Sequence, residues 1–271
     1  MTAYKLLASD LDDSLLDDRW RIGEADREAI ARAVKAGVKV VLATGRMFRS
    51  ALPYALELGL ETPLVTYQGA LVKFPGGREL LHRPVPWELA LELLERLRPT
   101  GFHVNIYIDD QLLVDKVTEA GRLYWVISKV APVEVGDLAD YLRRERRDPT
   151  KLLLVAGEEK LDPLMAELNR EFAGRLHMTK SKPFFLEFMY PGVTKAGALQ
   201  ALADHYGIGR ESIIAVGDSY NDLEMIAYAG LGAVVANARD EIKGRADFVT
   251  LDNNHGGVAR VIKKFIFHEE D

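Results

Sequence analysis

The chain has 271 residues, a formal net charge of −6 and no cysteine. Its length allows two modest domains, and an apolar share of 48% supplies a sizeable core and argues against low-complexity disorder. Without cysteine there are no disulfides, thiolate catalysis or cysteine-based zinc sites. The scattered lysines and arginines draw no basic stripe of the kind that tracks nucleic acid.

The first stretch, Lys5 to Leu15, sets the pattern. An apolar run long enough for one buried strand ends abruptly in Asp10, Asp12 and Asp13. In an open α/β sheet, ligands collect beyond the carboxyl ends of parallel strands. A carboxylate pair there can hold a hard cation and still present an oxygen for chemistry. Residues 1 to 13 lack a basic region followed by a long apolar segment, so no signal peptide is expected. No apolar run approaches bilayer-spanning length, and the expected compartment is the cytoplasm.

Helical periodicity runs through Ala25, Ile30, Ala33 and Val34 and stops at Gly37. Val38 to Ala43 is a near-continuous apolar run, as in a parallel strand covered on both faces. Thr44-Gly45-Arg46 follows it, then a helix over Met47 to Leu58 that Pro53 kinks or delays. Pro63 to Thr66 supplies a third strand and Gln68-Gly69 a turn. This βαβαβ opening favours a doubly wound sheet.

The rhythm changes near Phe74 to Gly77. A helix over Trp87 to Arg98 precedes the alternating segment His103 to Ile108, a turn at Asp109-Asp110 and a return strand to Val114. Such alternation suits a sheet with one face open to solvent or a cleft. A helix over Thr118 to Ser128, a strand over Lys151 to Ala156 and a helix from Leu161 to Phe172, with Asp162-Pro163 at its start, come next. Two strands, His177 to Lys180 and Phe184 to Met189, close this α+β block.

Doubly wound signals then resume, with a helix from Lys195 to Tyr206 and a strand over Ile213 to Val216. Beyond Gly217 to Asp222 come a helix over Leu223 to Ala229 and a strand over Leu231 to Val235. Asp240 to Ala246 reads as a helix, Phe248-Val249 as a short strand and Gly256 to Phe267 as the closing helix. The expected division is a core of residues 1–81 and 187–271 around an inserted block of 82–186. The expected class is α/β: a doubly wound, mainly parallel, Rossmann-like sheet with an α+β cap.

Four polar stretches fall at junctions of this core: Asp10 to Ser14, Thr44 to Arg46, Lys195, and Gly217 to Asp222. The inventory of aspartates, a hydroxyl and an ammonium fits phosphoryl transfer better than redox chemistry. A phosphate ester needs its oxygens neutralised and a nucleophile held in line. Magnesium takes oxygen ligands near octahedral geometry, and Asp10 and Asp218 can supply two of them. Asp222 can ligate directly or orient metal-bound water. Lys195 offers positive charge to the phosphoryl group, Thr44 a hydrogen bond, and Gly45 and Gly217 close backbone approach.

These stretches also match a known family. D-L-D-D-S-L at 10–15, L-A-T-G-R at 42–46, V-T-K at 193–195 and G-D-S-Y-N-D at 217–222 resemble the four signature motifs of the haloacid dehalogenase-like hydrolases. P-G-V-T-K-A-G-A-L at 191–199 and N-N-H-G-G-V-A at 253–259 extend the likeness, and the cap between the second and third motifs resembles the Cof-type (type IIB cap) branch. The resemblance implies a magnesium-dependent phosphatase of a small phosphorylated metabolite, with sugar phosphates foremost. In that scheme Asp10 is the nucleophile that becomes an aspartyl-phosphate. Asp12 is the acid and then the base, its carbonyl a magnesium ligand. Thr44, Gly45 and Lys195 hold the phosphate, Asp10, Asp12 and Asp218 the metal, and Asn221 and Asp222 support it. Asp13 stands where relatives commonly have Gly, Ser14 where they have Thr, Gln68 where Asn is frequent and Ala196 where Gly is frequent.

His103, Asn105 and Tyr107 share one face of a strand and can line a substrate cleft, though a plain exposed sheet face shows the same pattern. Arg46 can touch substrate or cap, or be an ordinary helix-start arginine. His177, Lys180 and Lys182 read more readily as a polar cap edge than as an anion trap. Asn253 to His255 suggest a loop near the metal edge, where an Asn can bond the catalytic carboxylates. The basic run Arg143 to Arg147 is interrupted by Glu145 and followed by Asp148, as on a solvated helix end. Carboxylates after the first strand disfavour a dinucleotide site. Two competing readings use the same residues: a phosphotransferase or mutase with the same intermediate, and a non-enzymatic metabolite-binding protein. Neither a nucleic-acid nor a membrane partner is expected, and the protein is expected to be a monomer or small homo-oligomer.

Overall fold

The computed structural model describes residues 4–269. The chain divides into two compact units, one of residues 1–45, 51–81 and 194–271, the other of 46–50 and 82–193. The expected return boundary at 186/187 would cut a strand in half, because Phe185–Met189 is continuously paired. The division by contacts instead falls between Val193 and Thr194. No helix among the described residues is long and apolar enough to cross a membrane.

The first unit is built on a five-stranded parallel sheet. In chain order its strands are β1 (Leu6–Ser9), β2 (Lys39–Leu42), β12 (Ile213–Gly217), β13 (Leu231–Val234) and β14 (Phe248–Val249), placed β14-β13-β12-β1-β2. β1 is central, with Leu6 opposite both Ile213 and Lys39. Leu6, Ala8, Val41, Ile213 and Ala215 pack with Leu199 and Leu202 of helix α7 (Lys195–Tyr206). That helix starts where the Thr194 hydroxyl accepts the Gly197 N–H at 3.0 Å, and ends at left-handed Gly207. Helix α1 (Glu24–Lys35) links β1 to β2, and α8 (Leu223–Tyr228) links β12 to β13.

The third strand departs from expectation in part. β3 (Leu64–Thr66) meets β2 only at one parallel bridge, Ala43 to Val65, and pairs antiparallel with β4 (Leu71–Lys73). With β5 (Glu79–His82) it forms a separate three-stranded sheet. The turn Tyr67–Gly69, expected at Gln68-Gly69, sends the chain straight back as β4.

The second unit holds a six-stranded sheet of order β10-β11-β9-β6-β7-β8. Its strands are β6 (His103–Ile108), β7 (Gln111–Val114), β8 (Val133–Glu134), β9 (Lys151–Val155), β10 (His177–Lys182) and β11 (Phe185–Met189). The β6–β7 turn uses Asp109 and Asp110, both left-handed (φ 50° and 57°), as a two-residue hairpin with the sheet's twist requires. One face of the sheet, with Ile106, Leu152, Leu154, Leu186 and Phe188, packs with Leu93, Leu97, Leu142, Leu164 and Leu168. These come from helices α3 (Trp87–Leu97), α5 (Leu138–Glu145) and α6 (Glu158–Glu171). α6 begins three residues before Leu161, so Pro163 lies inside it rather than at its start.

The other face was expected to be open, yet His103, Asn105 and Tyr107 are all buried. Helix α4 (Glu119–Ser128) lies against β6: Gly121 abuts the His103 ring, and the Tyr107 hydroxyl donates to that of Tyr124 at 2.6 Å. The alternation in β6 therefore separates an apolar from a polar buried face, a distinction that period-2 patterning does not make. The basic run is a solvated helix end: Arg143 pairs with Glu95 and Asp140, and Arg147 with Asp109, all exposed.

Candidate active site

The acidic turn follows β1 directly. The Asp10 N–H donates to Val216 O of β12 at 2.9 Å, which fixes this residue at the end of two parallel strands. The chain then turns sharply through Asp12 (φ −70°, ψ 129°) and left-handed Asp13 (φ 60°). Asp13 thus occupies a backbone position that favours Gly, and its side chain is exposed. Its carbonyl is held by Asn237 Nδ2 at 2.7 Å.

Lys195, at the first position of α7, is fully enclosed. Its Nζ donates to Asp10 Oδ1 at 2.6 Å and to Asp222 Oδ1 at 2.7 Å. Asp222 Oδ2 accepts the N–H groups of Asp218 and Ser219, both at 3.1 Å, and so folds the β12–α8 loop onto itself. A Cβ on Gly217 would collide with the Asp222 side chain, which is why the strand ends in Gly. Ser14 Oγ donates to Asp218 Oδ1 at 2.9 Å. Carboxylate oxygens of Asp10, Asp218 and Asp222 all lie within 4.8 Å of one another.

The electrostatics follow from this crowding. Burial, together with the charges of Asp222 and Asp12 and against the pull of Lys195, pushes the Asp10 carboxyl up to about 7. Asp218 is raised well above the usual carboxylate range, first by burial and then by Asp10, Asp222 and Asp13. Burial alone would lower the Lys195 ammonium, but the attraction of Asp10 and Asp222 outweighs it and the net shift is upward. One ammonium stands against a surplus of carboxylates. An all-oxygen donor set with excess negative charge fits a hard divalent cation.

Thr44 is buried beyond β2. Its N–H donates to Val65 O at 2.8 Å and its carbonyl accepts the Gln68 N–H at 3.1 Å. Gly45 is needed because Gln68 fills the space a Cβ would take. Gln68 Oε1 accepts from Asn221 Nδ2 at 2.9 Å. The first unit thus draws together Asp10, Lys195, Asp218 and Asp222 through direct contacts, with Asn221 tied to the Thr44–Gly45 stretch through Gln68.

Arg46, His103, Asn105 and Tyr107 belong to the second unit. Arg46 Nη1 donates to Ser50 Oγ at 3.1 Å. His103 Nδ1 and Thr118 Oγ1 are 2.9 Å apart, and burial lowers the His103 pKa. Lys180 pairs with Glu158 and Asp162 on its own unit, as a polar edge would. The expectation for Asn253 is corrected: its Nδ2 donates to Leu16 O at 2.9 Å and to Asp18 rather than to a catalytic carboxylate. Ser14 and Gln68 were absent from the expected site. Ser in place of the usual Thr in the first motif, and Gln where relatives often have Asn in the turn after β3, were the only sequence signals for them.

A parallel sheet whose strand ends gather an aspartate-rich, lysine-bridged cluster defines a haloacid dehalogenase-like hydrolase. The model of that family matches residues 7–262, and the chain belongs to it. The 5-amino-6-(5-phospho-D-ribitylamino)uracil phosphatase of Bacillus subtilis is 32% identical, covering 96% of this chain and 97% of that protein. A haloacid dehalogenase-like hydrolase of Bacteroides thetaiotaomicron with a solved structure is 30% identical, with a TM-score of 0.86 over 96% of this chain and 99% of that one. A subclass IIB sugar phosphatase shares the fold at 20% identity and a TM-score of 0.83, covering 96% of this chain and 98% of that one. Relatives matched over nearly their whole length are named as phosphatases, and this chain is an enzyme of that hydrolase class.

Proposed function

We propose that the protein is a magnesium-dependent phosphomonoesterase of a small phosphorylated metabolite and that it works through an aspartyl-phosphate on Asp10. The observation that carries this reading is the Lys195 bridge between Asp10 and Asp222 beside Asp218, at the ends of β1 and β12. Mere binding of a metabolite gives no reason to bury so many carboxylates around one ammonium.

An Asp10 carboxylate oxygen attacks phosphorus as the bond to the ester oxygen breaks. The Asp12 carboxyl gives its proton to that leaving oxygen. Asp12, now ionised, takes a proton from the water that attacks the aspartyl-phosphate, and phosphate leaves with Asp10 restored. Thr44, Gly45 and Lys195 hold the phosphoryl oxygens, and Lys195 also restrains Asp10. The side chains of Asp10 and Asp218 and the carbonyl of Asp12 would hold magnesium, with Asn221 and Asp222 in support. When bound, the ion supplies the positive charge that lets a carboxylate approach a phosphate dianion.

Sugar phosphates and phosphorylated sugar alcohols are the leading substrate class, supported by the ribityl phosphate in the name of the Bacillus subtilis relative. His103, Asn105, Tyr107 and Arg46 are proposed as contacts to substrate or within the cap, residues 82–186 as the specificity block, and the cytoplasm as the compartment. A phosphate-release screen over sugar phosphates, nucleotides and cofactor phosphates, with and without Mg²⁺, tests the reading. Hydrolysis of at least one small ester that stops on chelation is expected. Undiminished turnover in excess chelator would overturn the metal requirement.

A further inference from the structure

The turn Tyr67–Gly69 lies outside every motif stretch, yet its backbone is unusual. Tyr67 and Gln68 are consecutive, buried and both left-handed (φ 52° and 61°), a conformation that side chains bearing a Cβ disfavour. Such backbone persists only where its surroundings over-determine it, and it gathers at functional sites. Here the surroundings are the site itself. The Gln68 N–H donates to Thr44 O at 3.1 Å, and a Cβ on Gly69 would collide with Thr194 O, one residue before Lys195.

The Gln68 side chain continues the pattern. Its Nε2 fills the space beside Gly45, while its Oε1 accepts from Asn221 Nδ2 at 2.9 Å across 153 residues. The other corner of the Asn221 amide, Oδ1, is buried with no hydrogen-bond partner among the described residues. An amide is a rigid fork, so fixing its nitrogen fixes where its oxygen points. A buried acceptor left unmatched is costly unless something outside the protein donates to it. Asn221 precedes Asp222, whose Oδ2 accepts the Asp218 N–H at 3.1 Å.

We propose that Gln68 is a positioning residue for the metal site: it clamps Asn221 Nδ2 so that Asn221 Oδ1 accepts from water bound to a divalent ion at Asp10 and Asp218. This rests on the ion-site reading given above. Magnesium and manganese retain several waters in carboxylate sites, and each is a strong donor. Residues behind the direct ligands commonly control metal affinity in this way.

Titration of Mn²⁺ into the full chain, with free ion read by electron paramagnetic resonance, tests the clamp without substrate. Gln68→Met keeps length and removes the acceptor, and should weaken Mn²⁺ binding about tenfold. Asn221→Ala should weaken it by a similar factor, and the double variant no further than either single one. Gln68→Glu restores an acceptor and should return affinity to within about threefold of wild type. In phosphate release, half-saturating Mg²⁺ should rise in Gln68→Met while KM for the ester stays fixed. If Gln68→Met does not fold, Gln68→Asn, one methylene short, takes its place in the cycle. Wild-type Mn²⁺ affinity in the variant that folds, or losses that multiply in full in the double variant, would overturn the clamp. Undiminished Mn²⁺ binding in Asp218→Asn would instead overturn the ion site, and the clamp with it.

Discussion

The buried pair Lys151–Glu187 in the second unit and the buried group around Lys195 in the first use the same kinds of side chain to different ends. Lys151 Nζ meets Glu187 Oε2 at 2.9 Å with both side chains almost wholly enclosed, and Ser181 donates to the other Glu187 oxygen. At this contact one ammonium faces one carboxylate. Around Lys195 a single ammonium is shared by Asp10 and Asp222 with Asp218 alongside, and burial, together with the neighbouring carboxylates, raises the carboxyl pKa values of Asp10 and Asp218. The buried pair ties strands together, whereas a surplus of buried carboxylates costs stability and offers ligands to a cation. Charge balance, more than burial or hydrogen bonding, separates a structural tie from a site.

The largest expected effect breaks the unbalanced cluster chemically. Asp10→Asn should lower turnover by about 10⁴-fold or more, because the nucleophile is lost. Its melting temperature should not fall, since removing one carboxylate relieves the surplus. Phosphate-release assays and thermal melts on the same preparation check both halves. Turnover near wild type would end the covalent assignment.

In the second unit the same kind of change should act on stability. Lys151→Met removes the ammonium that faces the buried Glu187 carboxylate, at an expected cost of about 3 kcal/mol or more. The double variant Lys151→Met/Glu187→Leu should recover most of that loss, since apolar replacement of a whole buried pair is often close to neutral. Urea melts of the three proteins decide it. A double variant as unstable as the single one would show that the pair has wider structural partners.

Magnesium should discriminate between the clusters directly. At a free concentration a hundred times Kd, a ligand of the folded state alone adds about 2.7 kcal/mol. Wild type and Lys151→Met should gain this equally on adding Mg²⁺, and Asp218→Asn should gain far less. Equal gains in all three would place the ion elsewhere.

Much of the first unit was legible because each element announces itself locally. The apolar runs before Asp10, Thr44 and Gly217 end where their chemistry begins, and Thr194 and Gly207 cap α7 as their residue types predict. What stayed hidden depends on distant partners or on backbone that residue type does not declare. Ser14 meets Asp218 across 204 residues, and Gln68 takes a left-handed conformation usually left to Gly or Asn. The third strand lies parallel beside β2 at the bridge Ala43 to Val65, as expected, but its antiparallel partner β4 was not foreseen. In β6 the period-2 pattern correctly placed His103, Asn105 and Tyr107 on one face. It could not reveal that α4 lies against that face, because a buried polar face and a wet one share the same alternation.

The most local expected effect concerns Asp26, which belongs to neither cluster. Its carboxylate, in α1, is 1% exposed, and Oδ1 accepts the Ala259 N–H of helix α10 (Gly257–Val261) at 2.7 Å. Burial pushes its pKa up to about 6, against the opposing pull of the Ala259 and Val258 N–H groups and of Lys263. An unfolded Asp titrates near 3.8, so between these values the folded chain binds more protons than the unfolded one. Stability from this group is therefore complete below pH 3.8 and is lost as pH rises through about 6. The loss is on the order of 3 kcal/mol. Asp26→Asn keeps an acceptor for the Ala259 N–H but cannot titrate. The difference in unfolding free energy between variant and wild type should grow from pH 4 to about pH 6 and then level off. Subtracting the two curves removes the acidic cluster, whose titration both proteins share. Parallel stability curves across that range would show that Asp26 is no more protonated in the folded chain than in the unfolded one.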